Sequence, residues 1–420
     1  MEKRNTTKAR SKKNFKKSVI WNSIGSALNS FNSLFFLIIV TRINGLNEAG
    51  IFTLAYASAC MFYIIGVYSG RTYQVTENNK KITDNEYIVN RIVTASIMLI
   101  VSLAFGIISN YYGQKMIIFM ILCLCKGIEA ICDVFHGILQ KNERLDIVGK
   151  SLFFRSLIGL LVFLIVEWTI KNMVIASISL VIVDLFVLFL IDMKVSSKYR
   201  SKSEKIDLSI AMKILSSGFY VFGFSFIANY LVNAPRYAID SLLTSDMQTI
   251  FGIIVMPASI IMLINQFIIQ PIIIKLKEEY ENKNATKFME LIYKVIRLTL
   301  LTGILAIIAA KFCGAFVLKL MYGVSLENYI PSLLLILGGA TVYTVSSVLS
   351  NGMIVLRKTK VQLYIYITTA FFALFISYKM VGLFGFDGAI YSYLIIMIML
   401  LILYIIAFAK ILIKDKVFEV

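Results

Sequence analysis

Charge is scarce in this sequence. Of its 420 residues 16% are Asp, Glu, Lys or Arg, against about 25% in soluble domains, and 59% are apolar. A soluble enzyme on a single membrane anchor would leave a polar block of about 100 residues. None is present. The one histidine offers no cluster for zinc, and the five cysteines form no CxxC. All five lie in or beside apolar runs and read as buried thiols. GxSxG, GxxxxGK[ST], HExxH and GxGxxG after a strand are all missing. These absences exclude the usual hydrolytic, metal, nucleotide and cofactor templates. They leave no catalytic residues, no metal site and no ATP-driven step to assign.

Acid is scarcer than base: 24 Asp and Glu stand against 42 Lys and Arg, a net charge of +18. A nucleic-acid partner would need the bases on one face or groove. Here they recur in short patches between apolar runs, the pattern of a polytopic membrane protein. A basic start, MEKRNTTKARSKKNFKK, runs into the first apolar run with no small-residue cleavage site and reads as a cytoplasmic tail.

Twelve runs are long enough to span a bilayer: 18–41, 46–70, 92–112, 115–139, 152–170, 172–193, 210–234, 248–274, 291–312, 331–355, 361–380 and 385–409. None has the alternation of a β-barrel strand, so helices satisfy the backbone in lipid. With the N-terminus in the cytoplasm, 34 basic residues fall on the inner side, seven on the outer side, and Lys126 lies within a span. That asymmetry predicts both termini inside. Reporter fusions at Lys198 and Val420 should read inside and one near Lys319 outside; a periplasmic signal at Lys198 would break the scheme. The loop 194–209 divides the chain into an N-terminal six-helix lobe, 1–205, and a C-terminal one, 206–420.

Ionisable groups inside a membrane are costly and therefore mark function or tight pairing. The fourth span carries Lys126, Glu129, Asp133 and His136 at helical spacing. Lys126 can meet an anion or simply pair with Glu129. Asp133, and Asp184 in the sixth span, have no evident partner in their own helices. Glu129, Asp133 and Asp184 are thus candidates for a coupling ion, H+ or Na+. Glu167 reads as interfacial. The first span is dense in small and polar residues before FFLIIV, which suits helix packing or a wet cavity. Pro235 is expected to break the seventh span and free a carbonyl near Leu231. Arg236 beside it, and Arg42 at the outer end of the first span, can grip a diphosphate with a bidentate fork or snorkel to headgroups. Asn265, Gln266 and Gln270 read as cleft lining or interhelical glue.

Several segments resemble the polysaccharide flippases of the multidrug/oligosaccharidyl-lipid/polysaccharide exporter superfamily. In IIVTRINGLNEAGIFTLAYA, 38–57, the matching positions are Arg42, Gly45, Gly50 and Phe52, with Asn44 replacing the usual Leu. NAPRYAID, 233–240, is similar to the family's NxPR[YF] segment through Asn233, Pro235, Arg236 and Tyr237. QTIFGIIVMPASI, ENYIPSLLLILGG and GFDGAIYSYLI are weaker likenesses. The resemblance implies an all-α, MATE-like fold of two six-helix lobes around a cationic cleft. It implies movement of undecaprenyl-diphosphate-linked oligosaccharides across the bacterial inner (plasma) membrane by alternating access, often with ion coupling. The expected partners are the lipid-linked oligosaccharide, membrane lipid, and the polymerase or glycosyltransferases of the same assembly line. Arg42 and Arg236 carry over from the matched segments; with Lys126 they are the candidates for balancing diphosphate charge. Two rivals stand beside this reading. A small-molecule or cation antiporter of the same superfamily would move cationic dyes. A membrane polysaccharide polymerase or ligase would need a large external loop, which the short outer connections do not supply.

Overall fold

A computed structural model describes residues 2–68, 70–76, 82–201 and 208–414. The chain is helical throughout, with no strand among the described residues. In order come α1 (Glu2–Asn44), α2 (Leu46–Val67), the short α3 (Gly70–Thr76), α4 (Asp84–Ile108), α5 (Gly113–Lys141), α6 (Leu145–Ile170) and α7 (Met173–Val187). A π-helical turn (Leu188–Met193) and α8 (Lys194–Ser196) continue α7 without a break. Then follow α9 (Leu208–Leu242), α10 (Ser245–Glu281), α11 (Ala285–Tyr322), α12 (Ile330–Val355) and α13 (Thr359–Lys414).

Nine helices among the described residues are long and apolar enough to cross a membrane. Three further crossings complete the expected twelve. The 29-residue α5 has the length but carries Lys126, Glu129 and Asp133 in its middle. The 35-residue α9 is the second. The third comes from α13: its 56 residues are twice what a bilayer needs, and Gly385, at φ 58° and ψ −131°, divides them. Only glycine adopts that backbone without strain.

Local signals set the helix ends. The Thr83 backbone N–H donates to Glu86 at 2.8 Å at the start of α4. Asn172 caps α7 by accepting from Val174 and Ile175, and Asn284 caps α11 by accepting from Lys287. Gly323, left-handed at φ 75°, closes α11. Along α11, Leu301, Ile304, Leu305, Ile308, Phe312 and Phe316 are exposed. Large apolar side chains at three- and four-residue spacing on an outer face are the surface that lipid covers. The protein is a multi-pass membrane protein.

The chain forms two compact units. The first comprises 1–45 and 55–222; the second comprises 46–54 and 223–420.

In the first unit α1 lies against α6 so closely that a Cβ on Gly25 would stand 2.1 Å from the Gly149 carbonyl oxygen, and one on Gly149 would stand 2.2 Å from Trp21 backbone. Small residues let the two backbones touch. The polar run of the first span is therefore both packing and lining: Asn32 donates to Ser156 Oγ at 3.2 Å, and Ser156 donates to Asn29 at 3.3 Å. Gly149→Leu is expected to separate α1 from α6 and abolish the monodisperse size-exclusion peak of purified protein. Gly338→Leu, where no atom lies within 4 Å of a Cβ, should leave that peak unchanged.

In the second unit the first turns of α2 lie on α10: Thr249 Oγ1 donates to the Leu46 carbonyl. Thr299 Oγ1 donates to Asn265 at 2.7 Å, which makes Asn265 interhelical glue, while Gln266 and Gln270 are exposed. The helix break expected at Pro235 is absent. α9 runs through it to Leu242, because the turns on either side are fixed by packing: Leu231, Ala234, Ala238 and Ile239 are all buried. Neighbouring helices hold a membrane helix together across the lost hydrogen bond. The cysteines also differ from expectation. Cys123, Cys125 and Cys132 are buried, Cys60 is half-buried and Cys313 is exposed. A thiol on the lipid face costs little, since lipid is as apolar as the core.

Candidate functional site: a charged pocket inside the first unit

A small pocket opens between α1, α2, α5, α6 and α7. Its polar lining is Asn29, Asn32, Lys126, Glu129, Arg155 and Asp184. In a unit whose outer faces are apolar, such a set marks a candidate site or a tightly paired cluster.

α5 supplies the centre. Lys126 Nζ bonds Glu129 Oε1 at 2.7 Å and lies 5.0 Å from the centroid of the Tyr56 ring. The pair is the local i,i+3 contact that the spacing allows. The ring adds a cation–π contact, worth more in a desolvated place than at a surface.

Asp133, one turn further along α5, is not among the pocket-lining residues. It is held by two guanidinium groups: Arg91 of α4 at 3.0 Å and Arg71 of α3 at 3.3 Å. Arg91 also donates to the Gly66 carbonyl at 3.1 Å, which ties α4 to the end of α2. Removing one partner of such a cluster strands the others. Asp133→Asn is therefore expected to destabilise the unit by about 3 kcal/mol, read as a lower unfolding midpoint of the purified protein.

Arg91 and Arg155 are among the 34 basic residues that the charge asymmetry assigns to the inner side. Both are buried. Arg155 Nη2 donates to Asp192 Oδ2 at 2.7 Å, and its Nε stands 3.7 Å from Asp184 Oδ1. Asp192 is wholly buried and is the residue that the sequence reading missed. Its other oxygen accepts from Ser151 Oγ at 2.6 Å and lies 3.2 Å from His136 Nε2. A regular α-helix would carry Asp192 about 80° round from Asp184. The π turn over Leu188–Met193 rotates less per residue and brings both acids to Arg155. Glu167, expected at the interface, is instead buried and accepts from Asn44 at 3.0 Å.

The structure thus brings Lys126, Glu129 and Asp184 to one pocket and adds Arg155. Arg42 is exposed in the last turn of α1. Arg236 belongs to the second unit. It is buried, with Nη1 3.5 Å from Thr53 Oγ1, its guanidinium 5.5 Å from the Phe251 ring centroid, and Nε without a hydrogen-bond partner. No group of three or more His, Cys, Asp or Glu among the described residues is arranged to hold a metal ion.

No protein-family model matches the chain. The capsular polysaccharide biosynthesis protein CapF of Staphylococcus aureus is 26% identical over 370 residues, covering 87% of this chain and 92% of that protein. Among solved structures, the lipid II flippase MurJ in an inward closed conformation superposes with a TM-score of 0.71 at 14% identity, covering 95% of this chain and 89% of that one. An inward-facing multidrug resistance transporter of the MATE family gives 0.67 at 13% identity, covering 96% and 99%. The bent form of the Vibrio cholerae MATE transporter VcmN gives 0.62 at 14% identity, covering 97% and 99%. The chain therefore has the all-helical fold shared by MATE transporters and the MurJ flippase, and along most of its length it resembles a capsular polysaccharide biosynthesis protein.

Proposed function

We propose that this protein moves undecaprenyl-diphosphate-linked oligosaccharide repeat units across the bacterial inner membrane by alternating access, with both termini in the cytoplasm. The observation that carries the reading is the pairing of a flippase and transporter fold with a near-full-length likeness to a capsular polysaccharide biosynthesis protein. The chemistry suits it. Sugars need amides and hydroxyls, which Asn29 and Asn32 offer, and a diphosphate needs cations, which Lys126 and Arg155 offer in the same pocket. Arg236 supplies a further buried guanidinium in the second unit. The lipid tail stays in the bilayer and no covalent bond changes. Glu129 and Asp184, which line the same pocket, are the candidates for a coupling cation.

The test is complementation. A strain lacking its own flippase of matching glycan specificity should regain surface glycan when this chain is expressed. The second reading, a small-molecule or cation antiporter, draws on the MATE likeness and on the two carboxylates in the pocket. Uptake of a cationic dye by proteoliposomes, uncompeted by an undecaprenyl-diphosphate glycan, would support it and displace the first.

A further inference from the structure

Two buried polar side chains of the second unit lack what their chemistry asks for. Gln248, in the first turns of α10, is 2% exposed, and neither its Oε1 nor its Nε2 has a hydrogen-bond partner. Arg236 of α9 is 4% exposed, and its Nε is likewise unpartnered. Buried amides and guanidinium groups are nearly always satisfied, because leaving them bare opposes folding.

The two side chains share one seam. Ser245, Gln248, Thr249 and Gly252 recur at helical spacing and form one face of α10. That face lies on the first turns of α2. A Cβ on Gly50 would stand 2.0 Å from the Ser245 carbonyl oxygen, and one on Gly252 would stand 3.0 Å from Thr53 Oγ1. Gln248 is bracketed by these two contacts. Arg236 enters the seam at Gly252. Its Nη1 lies 3.5 Å from the place a Gly252 Cβ would take and 3.5 Å from Thr53 Oγ1, and its guanidinium is 5.5 Å from the Phe251 ring centroid. The bare Cα of Gly252 makes room for the guanidinium. The Gln248 amide stands one helical turn, about 5.4 Å, nearer the start of α10.

The chemistry of the pair narrows the ligand. A guanidinium with a free Nε suits an anionic oxygen. Oε1 of Gln248 accepts only, and an ionised phosphate has no proton to give it. A phosphate alone would therefore satisfy Arg236 and leave that acceptor stranded. A sugar beside the phosphate serves both amide atoms: one hydroxyl donates to Oε1, and its neighbour accepts from Nε2.

We propose that Arg236 and Gln248 form a glycosyl phosphate subsite in the second unit. Arg236 takes the phosphate, and Gln248 reads two adjacent hydroxyls of the sugar next to it. The inference rests on the flippase reading for its ligand and deepens it: the part of the glycan selected here is the first sugar, through a free vicinal diol. No covalent bond changes.

The test is binding, not transport. Two probes share a phosphate monoester and differ in hydroxyls: glucose 1-phosphate and methyl phosphate. Each is titrated by 31P NMR line broadening against full-length protein in a detergent that carries neither phosphate nor sugar. The wild type should prefer glucose 1-phosphate by at least about tenfold, the scale of stranding a buried polar group. Gln248→Leu should erase that preference and leave the affinity for methyl phosphate within about twofold. Gln248→Met, a second apolar replacement, should do the same. Arg236→Met should weaken both probes. Lys126→Met, a change in the first unit, should keep the preference. Without ligand the Gln248→Leu protein should unfold no lower than wild type, since an unpaired amide has been removed. A preference that survives in Gln248→Leu, an equal loss for both probes, or a preference lost only in Lys126→Met would overturn the subsite and leave the flippase reading standing. A chain that shows the Gln248-dependent preference yet fails to complement glycan export would keep the subsite and overturn that reading.

Discussion

Arg236→Ala should abolish surface glycan in a complemented strain while the protein remains in the membrane at wild-type abundance. The side chain is buried in the second unit, and its polar company is poor: a 3.5 Å contact to Thr53, a 5.5 Å approach to the Phe251 ring, and an Nε with no partner. No carboxylate lies within ion-pair distance of it among the described residues. An uncompensated buried charge lowers stability, so the fold alone gives no reason for this guanidinium. An anion arriving in function would supply one. Truncating one partner of a buried, hydrogen-bonded charge pair costs about 2–5 kcal/mol, at least about 30-fold in apparent affinity for the diphosphate. Arg236→Lys keeps charge but loses the planar fork and should restore only part of the export. Arg236→Met supplies the opposing sign. If the charge is a functional strain, removing it should raise the unfolding midpoint while export stays absent. Full export by Arg236→Ala at equal abundance would remove the residue from the substrate path. A lowered midpoint in Arg236→Met would make it a packing cation.

The fold was legible in the sequence because bilayer thickness converts apolar length directly into helix count. Even the two crossings merged in α13 are separable by eye, since GFDG interrupts the run and Gly385 takes a backbone that other residues avoid. The site was half legible. Lys126, Glu129 and Asp184 announce themselves as charges within apolar runs. Arg91, Arg155 and Asp192 do not, because they fall at or near the ends of the apolar runs, where charge is ordinary. Counting Arg155 as a loop charge hid the group that bridges both acids. Asp192 was beyond reach for a further reason: helical periodicity turns it away from Asp184, and only the π turn returns it. Pro235 misled in the opposite direction. Its local chemistry opposes a helix, yet packing on both sides carries α9 through it.

Asp184→Asn should uncouple transport from a gradient without emptying the membrane of protein. In proteoliposomes the wild type should move a lipid-linked glycan faster under an imposed pH gradient. The variant should run at a single, gradient-independent rate, at or below the rate of the wild type without a gradient. Asparagine matches aspartate in shape, so the pocket lined by Asn29, Asn32 and Lys126 keeps its size. What changes is that residue 184 can no longer take or release a proton, and the Nε of Arg155 loses the anion 3.7 Å away. Asp133→Asn provides the contrast, since its carboxylate serves Arg71 and Arg91 outside the pocket. That change should lower the yield of folded protein, while the molecules that do fold retain their gradient response. Replacing the pH gradient with a Na+ gradient separates the ions: stimulation by Na+ alone would assign the pocket to a metal cation rather than a proton. Unchanged gradient dependence in Asp184→Asn would assign both Asp184 and Arg155 to packing.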